Sequence, residues 1–280
     1  MKGYTKQAII HWDGTAGSSV CGNIIAEEPL SIRIQGNPYS VIMRTPGDEI
    51  DHVAGFCLAE GIVDFPADFN AIGFCDGTDT NVVTVTLTAS RRKKIAPTLD
   101  RRGYISQTSC GICGKEVVRD LQQAISSVLK GPTLSADRIL KCIDTLSDHQ
   151  PLRRQTKASH AAALFNSDFN LLAAAEDVGR HNALDKLVGA CLRDAAGASN
   201  ESFIVVSSRA SFELVQKTVR AGLPMMVAIG AASSLAIETA WHFDLTLVGF
   251  ARESRFNVYS RGERIALEPS DAAFVQVEAG

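Results

Sequence analysis

The sequence predicts an α/β protein with a parallel β-α-β-α-β unit in its carboxy-terminal part and a smaller α+β unit in its amino-terminal part. Three observations carry that prediction. Residues 203–206, 225–229 and 245–250 are nearly continuous apolar runs, the pattern of strands covered on both faces. Helical patterns over 212–221 and 235–241 separate them, and such alternation implies parallel strands joined by right-handed crossovers. Within the first hundred residues, short β-rich runs alternate with turn residues, as in mostly antiparallel pairing.

A chain of 280 residues holds one large or two medium domains. The expected division is 1–100 for the smaller α+β domain and 101–280 for the α/β domain. Apolar residues at 45% and charged residues at 21% exclude global disorder. A net charge of -3 gives the whole surface no attraction to nucleic acid or anionic membrane, so neither is an expected partner and any anion site is local. The longest near-continuous apolar stretch, 223–232, is interrupted by Pro224 and Gly230 and reaches about half of the roughly 18 residues that span a bilayer. Met1 to Thr5 lead into His11, Trp12 and Asp13 without the apolar run of a secretory signal. Seven irregularly spaced cysteines fit thiols kept reduced. A cytoplasmic protein is the expectation.

Residues 29–34 and 39–44 are β-rich and separated by Gln35, Gly36, Asn37 and Pro38, which reads as a hairpin. Thr45, Pro46, Gly47, Asp48 and Glu49 supply a cap, a first-turn proline and two acids ahead of the helically spaced Ile50, Val53, Ala54, Cys57 and Leu58. A helix over about 47–60 follows. Strands are expected at 71–75 and at 81–88, where Val83, Val85 and Leu87 alternate with threonines. Between 89 and 104, six basic residues, one acid and Pro97 predict an exposed loop, either a solvated connection or a docking patch for acidic groups. From Glu116 the spacing of Val117, Val118, Leu121, Ala124, Ile125, Val128 and Leu129 predicts an amphipathic helix ended by Gly131 and Pro132. A helix over 136–146, a small-residue helix over 160–164 and a strand over 169–174 complete the middle of the chain.

Three groups of residues could carry chemistry. Cys110, Gly111, Ile112, Cys113 and Gly114 immediately precede the amphipathic helix, so both sulfurs fall at or within its first turn. Unpaired N–H groups and the positive end of the helix dipole stabilise a thiolate there and bring its pKa from about 8.5 into the range of roughly 3.5–7.5. Cys110, nearer the open end, is the expected nucleophile and Cys113 the resolving or relay thiol. A structural zinc site would need a second ligand pair, which Cys21, Cys57, Cys75, Cys142 and Cys191 do not form by spacing. A thioredoxin-like motif would need a preceding strand near the chain start. A zinc-dependent nucleobase deaminase would need proline where Ser109 stands and an H-x-E where the chain has His52, Val53 and Ala54. Two reactive thiols without a metal, suited to carrying sulfur or electrons, remain.

The second group runs from Glu176 to Lys186, with Asp177, Arg180, His181, Asn182 and Asp185 between them. It reads either as a helix start capped by Asp177 or Asn182 with i,i+4 pairing, or as a turn at Gly179 that brings Arg180 and His181 to a ligand. His160, alone among alanines, reads as a core histidine. The third group follows the parallel strands: Ser207, Ser208 and Arg209, then Gly230 to Ser234, then Ala251 and Arg252. Ligands of open parallel sheets bind at such ends, where loop N–H groups can hold phosphate and Arg209, Arg252 and Arg255 can neutralise it. The glycine-rich Rossmann and P-loop patterns are missing.

Together, Thr45 to Asp48, Gly55 and Phe56 with Glu60 and Gly61, the C-x-x-C pair, Glu176 to Lys186, Ser211 to Lys217, Thr246 to Phe250 and Asn257 to Tyr259 resemble the FdhD family of formate dehydrogenase accessory sulfurtransferases, over about residues 23–262. The resemblance implies that sulfur from a cysteine desulfurase is held as a persulfide on the C-x-x-C pair. From there it passes to a bis-molybdopterin guanine dinucleotide cofactor (Mo-bisMGD, mimicked by guanine nucleotide), before that cofactor enters formate dehydrogenase. The family's catalytic cysteine falls on Cys110, and its cofactor-contacting segment on Phe250, Ala251, Arg252, Glu253, Ser254 and Arg255, joined by Ser207, Arg209, Gly230, Arg180 and His181. A cytidine-deaminase-like three-layer domain and a homodimer are also implied; a non-catalytic cofactor chaperone and a deaminase-like enzyme are the alternatives. Three loops depart from the family pattern by lacking glycines: Thr156 to His160, Ser207 to Arg209, and Ala231 to Ser234.

Overall fold

The computed structural model describes residues 3–75, 79–102, 127–193, 199–252 and 254–267, with the backbone alone for 97–102. Cys110, Cys113 and the expected amphipathic helix up to residue 126 lie outside the described residues, as does Glu253; the last turn expected of that helix does not form, since Val128 and Leu129 are irregular and the Val128 amide donates to the Phe243 carbonyl at 3.0 Å. Two strands not anticipated from the sequence, β1 (Tyr4–Trp12) and β2 (Gly17–Ile25), open the chain as a hairpin. Its turn is held by the Asp13 carboxylate, which accepts from the amides of Thr15 and Ala16 at 2.9 and 3.0 Å.

The amino-terminal unit is a four-stranded sheet and two helices. The strands are β3 (Glu28–Ile34), β4 (Asn37–Arg44), β5 (Phe69–Phe74) and β6 (Val82–Leu87), in the order β4-β3-β6-β5. The expected β3–β4 hairpin forms, and β3 also pairs in parallel with β6. Helix α1 (Glu49–Ala59) crosses the inner face, where Leu30, Ile32, Val83 and Val85 are fully buried. The charge run expected to be a loop is instead helix α2 (Ala89–Arg102). Its Arg91 is buried, donating to the carbonyls of Ile62 and Gly61 at 2.7 Å and paired with Asp64, while Ile95 joins the core. Arg92, Lys93 and Lys94 beside them lie exposed on the outer face of the helix, an amphipathic pattern that composition alone does not separate from a loop.

A six-stranded sheet follows, in the order β13-β12-β11-β10-β8-β9. Before it come β7 (Leu134–Ser135), helix α3 (Ala136–Thr145) and the short helix α4 (Pro151–Thr156). The sheet itself comprises β8 (His160–Asn166), β9 (Leu171–Asp177), β10 (Ser202–Val206), β11 (Met225–Ala228), β12 (Thr246–Arg252) and β13 (Arg255–Ser260). Helices α5 (Arg180–Arg193), α6 (Phe212–Arg220) and α7 (Ser234–His242) run between its strands. The expected β-α-β-α-β unit is β10-α6-β11-α7-β12, parallel throughout. The alanine-rich helix expected at 160–164 is strand β8, which pairs antiparallel with both β9 and β10. Residues 161–165 are buried on both faces, so pairing in the middle of a sheet overrides the helix preference of alanine.

The sheet has helices on both sides. Ala162, Leu164, Ile204, Val206, Met226 and Leu247 belong to one apolar cluster with α5, α6, α7, α1 and the inner face of the amino-terminal sheet. Ala163, Phe165, Phe203, Val205, Val227, Val248 and Ala251 belong to a second cluster with α3 and the short strand β14 (Ile265–Ala266). Helices α1 and α5 approach so closely that a Cβ on Gly55 would stand 2.0 Å from the Asp185 carbonyl oxygen, and one on Gly189 1.7 Å from that of Asp51. Only hydrogen fits at either position.

Candidate functional site at one edge of the six-stranded sheet

Because β9 runs antiparallel to β8 and β8 antiparallel to β10, the carboxy-terminal ends of β9, β10, β11 and β12 share one edge with the start of β8 and of β13. That edge gathers residues from distant parts of the chain. His160 begins β8, Arg180 and His181 open α5, Ser207 and Arg209 follow β10, Gly230 follows β11, and Phe250, Ala251, Arg252, Ser254 and Arg255 stand at the β12–β13 corner.

The first turn of α5 divides the dense polar segment by direction. Asp177 is fully buried: its Oδ2 meets Lys186 Nζ at 2.9 Å and accepts from the Thr45 amide at 3.0 Å, and its Oδ1 accepts from the Gly179 amide and Asn182 Nδ2 at 2.9 Å. Lys186 donates onward to the Thr45 carbonyl at 2.8 Å and Asn182 to the Met43 carbonyl at 2.8 Å. Asp185, whose carboxyl burial pushes up, is held by Lys217 Nζ at 2.6 and 2.8 Å. Glu176 accepts from the first amides of α4 and from Ser159 Oγ at 2.6–2.9 Å. Five of the polar groups therefore clamp the β4–α1 loop, α4 and α6 to the sheet. This is the capping reading extended to tertiary partners.

Arg180 and His181 escape that clamp. Arg180 is half-buried and its buried Nε has no hydrogen-bond partner. His181 Nε2 lies 3.5 Å from Ser211 Oγ and 3.8 Å from Glu213 Oε2. Its proximity holds the Glu213 carboxyl down at about 2 against the opposing effect of burial. His160 is not the core histidine expected from its neighbours. It is half-buried, and burial together with the charges of Arg180, Arg153 and His181 lowers its pKa. The signal that could have placed it here was its position, two residues past a helix-ending turn and at the first residue of a strand.

The loops after the parallel strands combine exposed cations with close backbone packing. Arg209 is exposed, while a Cβ on Gly230 would meet the Arg209 backbone at 2.9 Å, so glycine is required there for approach. Ser207 extends the β8–β10 pairing, its Oγ accepting from the Ala161 amide at 2.9 Å, and so positions the loop. Ser208 is buried, donating to the Arg209 carbonyl at 3.1 Å. At the corner, Phe250 has φ 52 and is exposed beside a register shift between Gly249 and Arg252. A bulge with a left-handed aromatic residue is the kind of backbone feature that re-aims side chains beside a site. Arg252 and Arg255 face each other across the hairpin and are exposed, as is Ser254. Ala251 corrects the expectation of a contact along the whole segment: its side chain is fully buried in the second cluster, opposite in direction to its neighbours. Lys157 stands at φ 59 as the left-handed cap of α4, a conformation that favours glycine.

Among the described residues the edge thus carries Arg180, Arg209, Arg252 and Arg255 with two histidines against one facing carboxylate, Glu213. Such an arrangement is chemically suited to an anion with several phosphate oxygens. Residues 25–266 match the model of the FdhD/NarQ family. The chain belongs to the FdhD/NarQ family. Sulfur carrier protein FdhD of Streptomyces coelicolor is 41% identical over 252 residues, 87% of this chain and 89% of that protein. Sulfur carrier protein FdhD of Mycolicibacterium paratuberculosis is 40% identical over 263 residues, 90% of this chain and 95% of that protein. A crystal structure from Desulfotalea psychrophila, described as that of a candidate formate dehydrogenase accessory protein, superimposes with a TM-score of 0.75 at 25% identity, covering 94% of this chain and 99% of that one.

Among the cysteines within the described residues, the two buried ones are held as thiols. Burial pushes Cys57 far up and Cys142 up to about 11. Neither is a nucleophile at neutral pH. Among the described residues no cluster of three metal-ligating side chains occurs, and no helix is long and apolar enough to cross a membrane.

Proposed function

We propose that this FdhD/NarQ chain is a sulfurtransferase of formate dehydrogenase maturation that carries sulfur as a persulfide on its C-x-x-C pair and delivers it to a phosphorylated cofactor on the sheet edge. The observation that carries the reading is membership of a family whose relatives at about 40% identity over nearly their whole length are sulfur carrier proteins. The cationic edge supports it, because a dinucleotide substrate brings phosphates that Arg180, Arg209, Arg252 and Arg255 can neutralise.

The transfer runs as thiol–persulfide exchange. Cys110 thiolate attacks the terminal sulfur of a persulfide on a cysteine desulfurase; the new S–S bond forms on Cys110, the donor's S–S bond breaks, and the donor cysteine leaves as thiolate. Cys113 assists onward transfer or shields the loaded sulfur. The substrate of the second step is Mo-bisMGD, with Phe250, Arg252, Glu253, Ser254, Arg255, Ser207, Arg209, Gly230, Arg180 and His181 as its proposed surroundings. The chain is proposed to act in the cytoplasm as a homodimer.

Mass spectrometry after incubation with a cysteine desulfurase and cysteine tests the carrier role. A gain of about 32 Da, one sulfur atom, is expected on Cys110. Cys110→Ala removes that species and the activity of the client dehydrogenase while the fold and guanine nucleotide binding persist. Unmodified Cys110 with intact nucleotide binding would replace the transferase reading by that of a chaperone which only binds and delivers.

A further inference from the structure

Helix α6 begins beside the edge yet supplies none of the residues expected there from the sequence. Its first turn carries Glu213, the one described carboxylate that faces the outward cations of the edge, 3.8 Å from His181 Nε2, with Ser211 Oγ at 3.5 Å from the same nitrogen. The other groups around the imidazole are Arg180 and Asp185 on its own helix and His160 on β8. Asp185 is already bound by Lys217 on the buried side, and Arg180 brings positive charge toward the ring. Glu213 is thus the group free to fix it.

We propose that Glu213 is a positioning residue: it holds His181 Nε2 toward α6, so that Nδ1 faces outward beside Arg180 as a contact for a phosphate oxygen of the nucleotide substrate. The proposal rests on the reading of the edge as a nucleotide site. Its chemistry is an ion pair beside a hydrogen bond: in the protonated ring both nitrogens carry hydrogen, Nε2–H faces the Glu213 carboxylate at 3.8 Å and Nδ1–H donates to the anion, and a ring that is neutral before binding takes up one proton from water. The carboxyl lies far below neutral pH, so the acceptor is ionised throughout the physiological range. A second group, Ser211 Oγ, stands beside the same nitrogen at 3.5 Å. Arg180, with its Nε unpartnered, completes a two-point grip from a single helical turn.

The test uses the full chain with GDP as probe and a double-substitution cycle. Glu213→Gln, which keeps the shape, is expected to weaken GDP binding about three- to fivefold, as losing one partly exposed ionic contact does. His181→Gln is expected to weaken it at least as much, and adding Glu213→Gln to His181→Gln should cost nothing further. The side-chain resonances of His181, recorded without nucleotide, should move in Glu213→Gln, while thermal stability changes little. Independent, additive losses in the cycle, or His181 resonances indifferent to Glu213→Gln, overturn the positioning role and leave the nucleotide site standing. A wild-type chain that does not bind GDP overturns the nucleotide reading itself, and this role with it.

Discussion

Two polar regions meet in the first turn of α5 and could hardly differ more in how their groups are used. On the inward side, Asp177, Asn182 and Lys186 make contacts of 2.8–3.0 Å with one another and with the β4–α1 loop. On the outward side, Arg180 has a nitrogen without a partner and His181 has contacts of 3.5 and 3.8 Å. The inward groups spend their hydrogen bonds on one another and on the amino-terminal unit, which leaves Asp177, Asn182 and Lys186 nothing for a ligand. The lesson is that density of polar residues does not distinguish architecture from chemistry. Whether the groups are already satisfied does.

The largest effect that could break this contrast is on the inward side. Lys186→Met leaves the Asp177 carboxylate buried without its cation and is expected to cost about 3–5 kcal/mol of stability, measured by urea unfolding. A cost below about 1 kcal/mol would mean that the network is not the clamp described here. Gly189→Ala comes next. Its methyl would fall on the Asp51 carbonyl, and the helices must part, for an expected loss of about 3 kcal/mol.

Acid sharpens the contrast further. His52, on α1, is fully buried, neither ring nitrogen has a hydrogen-bond partner, and burial together with Lys186, Lys217 and Arg44 holds its pKa well below the usual 6.5. The unfolded chain therefore takes up the proton first, so the contribution of the neutral ring is complete above pH 6.5 and is lost as pH falls below it. At most about 1.4 kcal/mol per pH unit comes from this one group. His52→Leu should flatten the fall in unfolding free energy between pH 6.5 and 5 relative to the wild type. An unchanged slope would assign the acid sensitivity to other groups.

The smallest effect on stability and the clearest on binding belong to the outward side. Arg209→Ala and Arg252→Ala remove exposed side chains and should leave stability within about 0.5 kcal/mol. Each should weaken guanine nucleotide binding about tenfold. Binding unaffected by both would move the phosphate site away from these loops.

Much of this was legible in the chain. The apolar runs at 203–206, 225–229 and 245–250 led directly to the parallel unit and hence to the edge, because strands buried on both faces leave no other pattern. What was not legible depended on partners far away in sequence. Strand β8 looked like helix because alanine prefers helix until β9 and β10 flank it and sheet pairing overrides that preference. Helix α2 looked like loop because the burial of Arg91 depends on Gly61, Ile62 and Asp64, 27 to 30 residues earlier. The division of labour in the Glu176–Lys186 segment needed Thr45, more than 130 residues upstream, to be visible. Glu213 was hidden for the same reason: its role exists only once α6 stands beside α5.

The two uses of the α5 turn also share a backbone. Only Val178 and Gly179 separate the buried Asp177 from Arg180, and Asn182 anchors the same turn one residue after His181. The outward pair is therefore mounted on a bracket with a bolt at each end. Through Asn182 and Asp177 that bracket is fastened to Met43 and Thr45, so the outward guanidinium and imidazole and the end of β4 share one mounting.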